Sequence, residues 1–185
     1  MPAVVGIRPG GLGCLGDRIA PFPRFPVRTL KFDGSRRLAA SPDFVWDRLI
    51  DPEVLRQSIR GCESMQTTGE GEYVASLKLR FGPVAASFDG RLSLGNIVDN
   101  RRYTIRFEGI GGIAGFGRGS TDVRLEPESE GTRLLYTVEA QIGGKLSRVG
   151  QPFVNRIARR MIEDFFTRFE RIIRHEAAAP GARGP

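Results

Sequence analysis

The chain has 185 residues, 40% hydrophobic and 26% charged, which are ordinary values for a globular domain. That length suits one domain with a sizeable core, and no run approaches the ~20 apolar residues of a membrane span. The net charge of +7 is uneven: residues 1–28 carry +3 and residues 144–176 carry +4, leaving the middle of the chain roughly neutral.

Residues 1–28 hold five glycines and five prolines without periodicity and read as a disordered extension. They lack the compact apolar run of a signal peptide, so nothing announces export. Cys14 and Cys62 lie in unlike contexts, which argues against a disulfide and for a reducing, cytoplasmic compartment. Residues 29–38 look like an edge strand, opening a domain expected to span 29–176. Ser41-Pro42 and Asp51-Pro52 each combine a capping side chain with a proline at the first helical position, predicting two short helices in tandem. Gly61 ends the second, and 62–69 becomes a strand.

Five alternating segments follow, at 73–81, 84–94, 103–109, 117–125 and 134–142. Tyr73, Ala75, Leu77, Leu79 and Phe81 share one face of the first, while Ser76, Lys78 and Arg80 share the other. Period-2 patterning of this kind means antiparallel strands with one dry and one wet face. Gly90, Gly109, Gly117 and Gly119 fall on dry faces, removing volume where a packed core would be filled. Gly82-Pro83 bends between two strands, 95–100 makes a longer link, and 111–117 reads as a flexible loop carrying one large aromatic, Phe116. From Lys145 the period changes to about 3.6, with Phe153, Ile157, Met161, Phe165, Phe169 and Ile172 on one stripe. Pro152 should break or kink the first turns, and residues 177–185 form a disordered tail.

The result is an α+β chain in the order β-α-α-β6-α: a curved antiparallel sheet of about seven strands wrapped on a long C-terminal helix. An apolar cavity between sheet and helix is the expected site. Its candidate walls are Leu77, Leu79, Phe81 and Phe88, then Tyr103, Ile105 and Phe107. Further along come Phe116 and Thr121, then Tyr136 and Val138, with Phe153, Ile157 and Met161 from the helix. The hydroxyls of Tyr73, Tyr103, Tyr136 and Thr121 point inward and could orient a ligand oxygen. Phe116 would be a gate or a plug.

Catalytic groups are scarce on that face. Asp89, Glu108, Asp122 and Glu139 all fall on the wet side, and the single histidine, His175, suits the helix C-terminus. One histidine and two separated cysteines make no familiar zinc site. The glycine clusters at 109–112 and 115–119 lack the strand-to-helix context of a dinucleotide loop. The basic excess on the last helix, with Arg156, Arg159 and Arg160, suits a partner surface.

The element order is that of the START-like, polyketide-cyclase-like (SRPBCC) helix-grip superfamily. Within it the chain resembles the G-subunit family of carbon monoxide dehydrogenase. The resemblance is carried by Asp51-Pro52-Glu53-Val54-Leu55 with Gly61-Cys62-Glu63, by Gly82-Pro83-Val84 with Phe88-Asp89-Gly90, and by Gly117-Arg118-Gly119-Ser120. Gly131-Thr132-Arg133-Leu134 with Tyr136, Gly143-Gly144-Lys145-Leu146 with Gly150, and Phe165-Phe166 complete it. It implies a non-catalytic accessory to a molybdenum hydroxylase, without a covalently bound cofactor, whose cavity holds a quinone or lipid. It also implies membrane recruitment, hence a peripheral location at the inner face of the membrane, and no nucleic-acid partner. Leu77, Leu79, Phe88, Tyr103, Phe107 and Tyr136 match the family's inward positions. Arg60 replaces a usual proline, Ser147 a usual alanine, and Ala177–Pro185 lacks the apolar tail of longer members. Two other readings stand beside this one: a cyclase-like or hydrolase-like enzyme using the inward tyrosines, and an interaction module whose function is the basic helix face alone.

Overall fold

A computed structural model describes residues 27–81, 84–148 and 150–177, with backbone only for Phe81, Val84, Ile113 and Leu146. Most of the expected N-terminal extension, the Gly82-Pro83 bend, Val149 and residues 178–185 lie outside the described residues. The elements are β1 (Arg28–Leu38), α1 (Pro42–Ile50), α2 (Pro52–Ser58), β2 (Cys62–Gly69), β3 (Glu72–Phe81), β4 (Val84–Val98), β5 (Arg102–Ile110), β6 (Phe116–Glu128), β7 (Gly131–Gly143) and α3 (Gln151–Ala177).

Seven antiparallel strands run in the order β1-β7-β6-β5-β4-β3-β2, a meander from β2 to β7 with β1 added at the far edge. The two proline-led helices cross between the edges. Ser41 accepts from the Phe44 N–H at 3.4 Å, and Asp51 accepts from Glu53 and Val54 at 2.8 and 3.1 Å. Each cap satisfies amides that a helix start leaves without partners.

Three local expectations are corrected. β4 does not stop at Leu94. Asn96 adopts φ +52°, its side chain donates to Thr104 Oγ1 at 3.2 Å, and pairing resumes at Val98 opposite Arg102. Asparagine tolerates that left-handed conformation, so an irregularity replaces the expected link. The 111–117 segment is not a long loop. A 3-10 turn spans Gly112–Ala114, and Phe116 already pairs with Ile110 and Gly143 as the first residue of β6. Finally, residues 144–148 form a 3-10 turn rather than the start of the long helix. α3 begins at Gln151, which puts Pro152 in the first turn, where a missing N–H costs nothing.

Starting there, α3 spans about 40 Å at 1.5 Å per residue. Its buried stripe is Val154, Phe166, Phe169 and Ile173, flanked by Ala158 and Ile162. The C-terminal half shares a tightly packed core with α1 and β7: Phe169 and Val45 are 0% exposed, and Ile173 and Leu134 are 1% exposed. Phe165 stacks on Phe169 with centroids 5.7 Å apart. The N-terminal half of α3 lies over the glycine-bearing strands, and there the interior is not filled.

Candidate functional site

Two adjoining apolar chambers occupy the space between sheet and helix. The first, about 320 Å³, is bounded by Leu77 and Leu79 of β3, Phe88 of β4, and Ile157 and Met161 of α3. The second, about 270 Å³, is bounded by Tyr103 and Ile105, Thr121, Tyr136 and Val138, with Phe165 beneath. Phe107, Leu92, Ile59 and Met161 belong to both and form the waist between them. Neither is sealed. Inward residues such as Leu77, Phe107 and Ile157 are therefore only half-buried, although they face the interior. A larger hollow of about 580 Å³ lies on the outer face. It is lined by charges of both signs that sit in cross-strand register, such as Arg91 opposite Glu108, and behaves as solvated surface.

The missing volume has an identifiable source. Gly90, Gly109 and Gly117 line the first chamber. A Cβ built on Gly109 would approach nothing closer than 3.9 Å, and one on Gly117 nothing closer than 4.0 Å. Gly119, one step along the same face, is different: its Cβ would collide with the Glu139 carbonyl, and the Phe107 ring already covers it. Strand glycines thus serve two purposes, one leaving room and one permitting close approach.

Of the sequence-predicted walls, the structure brings twelve to the chambers. Phe81 lies outside the described side chains. Phe153 does not reach either chamber; it is 40% exposed, because the helix begins at Gln151 and buries its neighbour Val154 instead. Phe116 is among the residues that line the first chamber. Its ring also covers Gly143, with the Arg118 guanidinium 5.8 Å from the ring centroid. It falls on the wet-face parity of β6, shared with Arg118.

All four inward hydroxyls, those of Tyr73, Tyr103, Thr121 and Tyr136, sit on the second chamber's wall, and among the described residues only that of Tyr73 is hydrogen-bonded to the protein. Tyr73 O–H donates to the Ile50 carbonyl at 2.8 Å. The Tyr136 hydroxyl lies over Gly34 of the edge strand. Burial raises the pKa of Tyr136, a rise partly offset by the Arg36 guanidinium. Tyr103 is 2% exposed, and no hydrogen bond reaches its hydroxyl among the described residues. Burial, with a smaller contribution from the Tyr73 phenol, pushes its pKa up. Cys62 lies beside this core with its thiol pKa raised by burial, which disfavours the reactive thiolate.

Arg60 lines the rim of the second chamber and ties the end of α2 to α3 through Asp164, at 2.8 Å. Three of the wet-face carboxylates have partners on the outer side: Asp89 accepts from Ser76, Asp122 from Thr104, and Glu139 from Lys31. Arg156, Arg159 and Arg160 project from α3 away from the packed core. Arg159 lies 5.2 Å above the Phe32 ring, and Arg160 sits 3.9 Å from Asp164.

Some walls escaped sequence reasoning. Met65 faces Ala75 across β2–β3, and Ile59 follows α2; short, irregular surroundings hide both from periodicity. Leu92 shares the dry-face parity of Phe88 on β4, and that alternation is the signal that identifies it.

A curved antiparallel sheet gripping a long helix over an apolar cavity defines a helix-grip protein. The chain belongs to the CoxG family, the G subunit of carbon monoxide dehydrogenase, whose pattern its residues 34–174 match. No curated protein matches the chain. Among solved structures it is similar to a conserved protein from Geobacillus kaustophilus, at 32% identity and TM-score 0.75, covering 79% of this chain and 96% of that one. A protein from Rhizobium leguminosarum shares the fold at 18% identity and TM-score 0.63, with 82% and 98% covered. So does an aromatase/cyclase from a Streptomyces species, at 14% identity and TM-score 0.58, with 85% and 100% covered. Among the described residues, no helix is long and apolar enough to cross a membrane.

Proposed function

We propose that this protein is a non-catalytic accessory that holds a quinone or lipid in its paired chambers and serves a molybdenum hydroxylase of the carbon monoxide dehydrogenase type. Delivery of the quinone, or recruitment of the hydroxylase to the membrane, is its contribution. The observation that carries this reading is the pair of carbon-walled chambers, with the ionised side chain of Arg60 kept to the rim. Family membership supports the partner. Burying roughly 300 Å² of apolar ligand at ~25 cal/mol/Å² gives about 7 kcal/mol before association costs, which suits micromolar rather than nanomolar binding.

An enzymatic role would ask the inward tyrosines to act on substrate, yet Tyr73 is committed to Ile50 and burial raises the pKa of Tyr103, which disfavours a reactive phenolate. The arginines on the outer side of α3 offer a surface to the hydroxylase. Native mass spectrometry of protein purified without detergent, before and after adding decylubiquinone, tests the cargo. A ligand-free protein that also refuses the added quinone refutes the carrier. Titration of a carbon monoxide dehydrogenase from the same organism tests the partner, and charge reversal at Arg156, Arg159 and Arg160 should abolish that binding.

A further inference from the structure

The two chambers differ in chemistry, and the difference has a direction. The walls of the first are carbon, apart from main-chain atoms of the strands, and three glycines widen it. The second ends against two neighbouring phenols. One of them, Tyr73, already donates to a backbone carbonyl. The other, Tyr103, is almost wholly buried, and among the described residues its hydroxyl has no partner. Its hydroxyl is not sealed in the core but borders the open chamber, so a ligand oxygen there can supply the hydrogen-bond partner that the described residues do not. The raised pKa keeps this phenol in its O–H form across the physiological range, so it is available as a donor.

We infer that the cavity is polarised: an oxygen-bearing ring occupies the second chamber with one oxygen hydrogen-bonded to Tyr103, and its hydrocarbon chain passes the Met161–Phe107 waist into the glycine-walled chamber. This deepens the carrier reading and rests on it. The ligand class is an amphiphile with a single hydrogen-bonding ring and an apolar chain, seated ring-inward at the packed end of α3. Tyr103 is then the residue that selects a ring bearing a carbonyl or hydroxyl over a plain hydrocarbon. Gly109 and Gly117 set the room for the chain.

The molecule carries its own reporter. Trp46 is the only tryptophan, and its ring meets Tyr103 edge-on with centroids 5.2 Å apart, so a quinone seated there quenches its fluorescence. Duroquinone supplies the ring alone and decylubiquinone the ring with a chain; both rings are fully substituted and cannot alkylate Cys62. Tyr103→Phe removes one oxygen that no described residue bonds, and Gly109→Val fills the chain chamber. The expected result is that Tyr103→Phe weakens both quinones by about 2- to 10-fold. Gly109→Val should weaken decylubiquinone at least tenfold while leaving duroquinone unchanged. The inference is overturned if Tyr103→Phe leaves decylubiquinone affinity intact, or if Gly109→Val weakens duroquinone as much as decylubiquinone. Either outcome with a binding wild-type protein keeps the carrier and discards the orientation. A wild-type protein that binds neither quinone overturns both.

Discussion

Gly117→Val sets the cavity against the ordinary rules of core packing. The glycine sits in the interior of β6, where its lack of a side chain costs roughly 0.5–1 kcal/mol relative to alanine. Its Cβ position is open to 4.0 Å, and valine suits an extended backbone. The added carbons would enter a chamber of about 320 Å³ and lose much of their exposure to water. Full burial of a valine side chain is worth roughly 1.5–3 kcal/mol, and a half-open chamber should return about half of that. The expected gain is therefore about 1–2 kcal/mol, a rise of roughly 2–8 °C in melting temperature for a domain of this size. Decylubiquinone affinity, measured by Trp46 quenching, should fall at least tenfold. Gly119→Val is the control: its side chain would drive into the Glu139 carbonyl and the Phe107 ring, and it should destabilise by more than about 1–3 kcal/mol. Thermal denaturation of the three proteins decides the matter. If Gly117→Val destabilises like Gly119→Val, the chamber is not open space. If it stabilises without affecting affinity, the chamber is not where the chain of the ligand sits.

Other expectations follow from the same geometry. Phe169→Ala, at a fully buried position stacked on Phe165, should cost about 3–5 kcal/mol in urea denaturation. Asp51→Ala removes the acceptor for two amides at the start of α2 and should cost roughly 0.5–2 kcal/mol in the same assay. Glu53 is held at a pKa of about 2, first by its hydrogen bond from Arg56 and then by Gln57, against an ordinary 4.5. Its folded pKa lies below its unfolded one, so its contribution is complete above pH 4.5 and is lost as pH falls towards 2. Melting temperature followed over that window should drop less steeply in Glu53→Gln than in the wild type; parallel curves would show that the pair contributes nothing, as exposed pairs often do.

Much of this architecture was legible in the residues, for local reasons. A strand face is written into alternate positions, so Leu77, Phe88, Ile105 and Val138 could be assigned to the interior before any partner strand was known. Capping side chains followed by proline marked both short helices, because the amides they satisfy lie within three residues. The dry-face glycines announced missing volume, since no other interior residue leaves so much.

What the tertiary structure alone decided concerns contacts between distant segments. The helical stripe placed Ile157, Met161, Phe165 and Phe169 inside but not its first member. The late start at Gln151 turned Val154 inward and left Phe153 outside. Gly109, Gly117 and Gly119 look alike in the chain, and only the Glu139 carbonyl and the Phe107 ring separate the closed position from the open ones. Three tyrosines point inward by parity, but a carbonyl at the end of α1 claims the Tyr73 hydroxyl, while that of Tyr136 lies over Gly34 without a hydrogen bond among the described residues. Alternation tells which way a side chain leaves its strand, because that depends on the backbone beneath it. It does not tell what the tip of the side chain meets, because that atom belongs to another part of the chain.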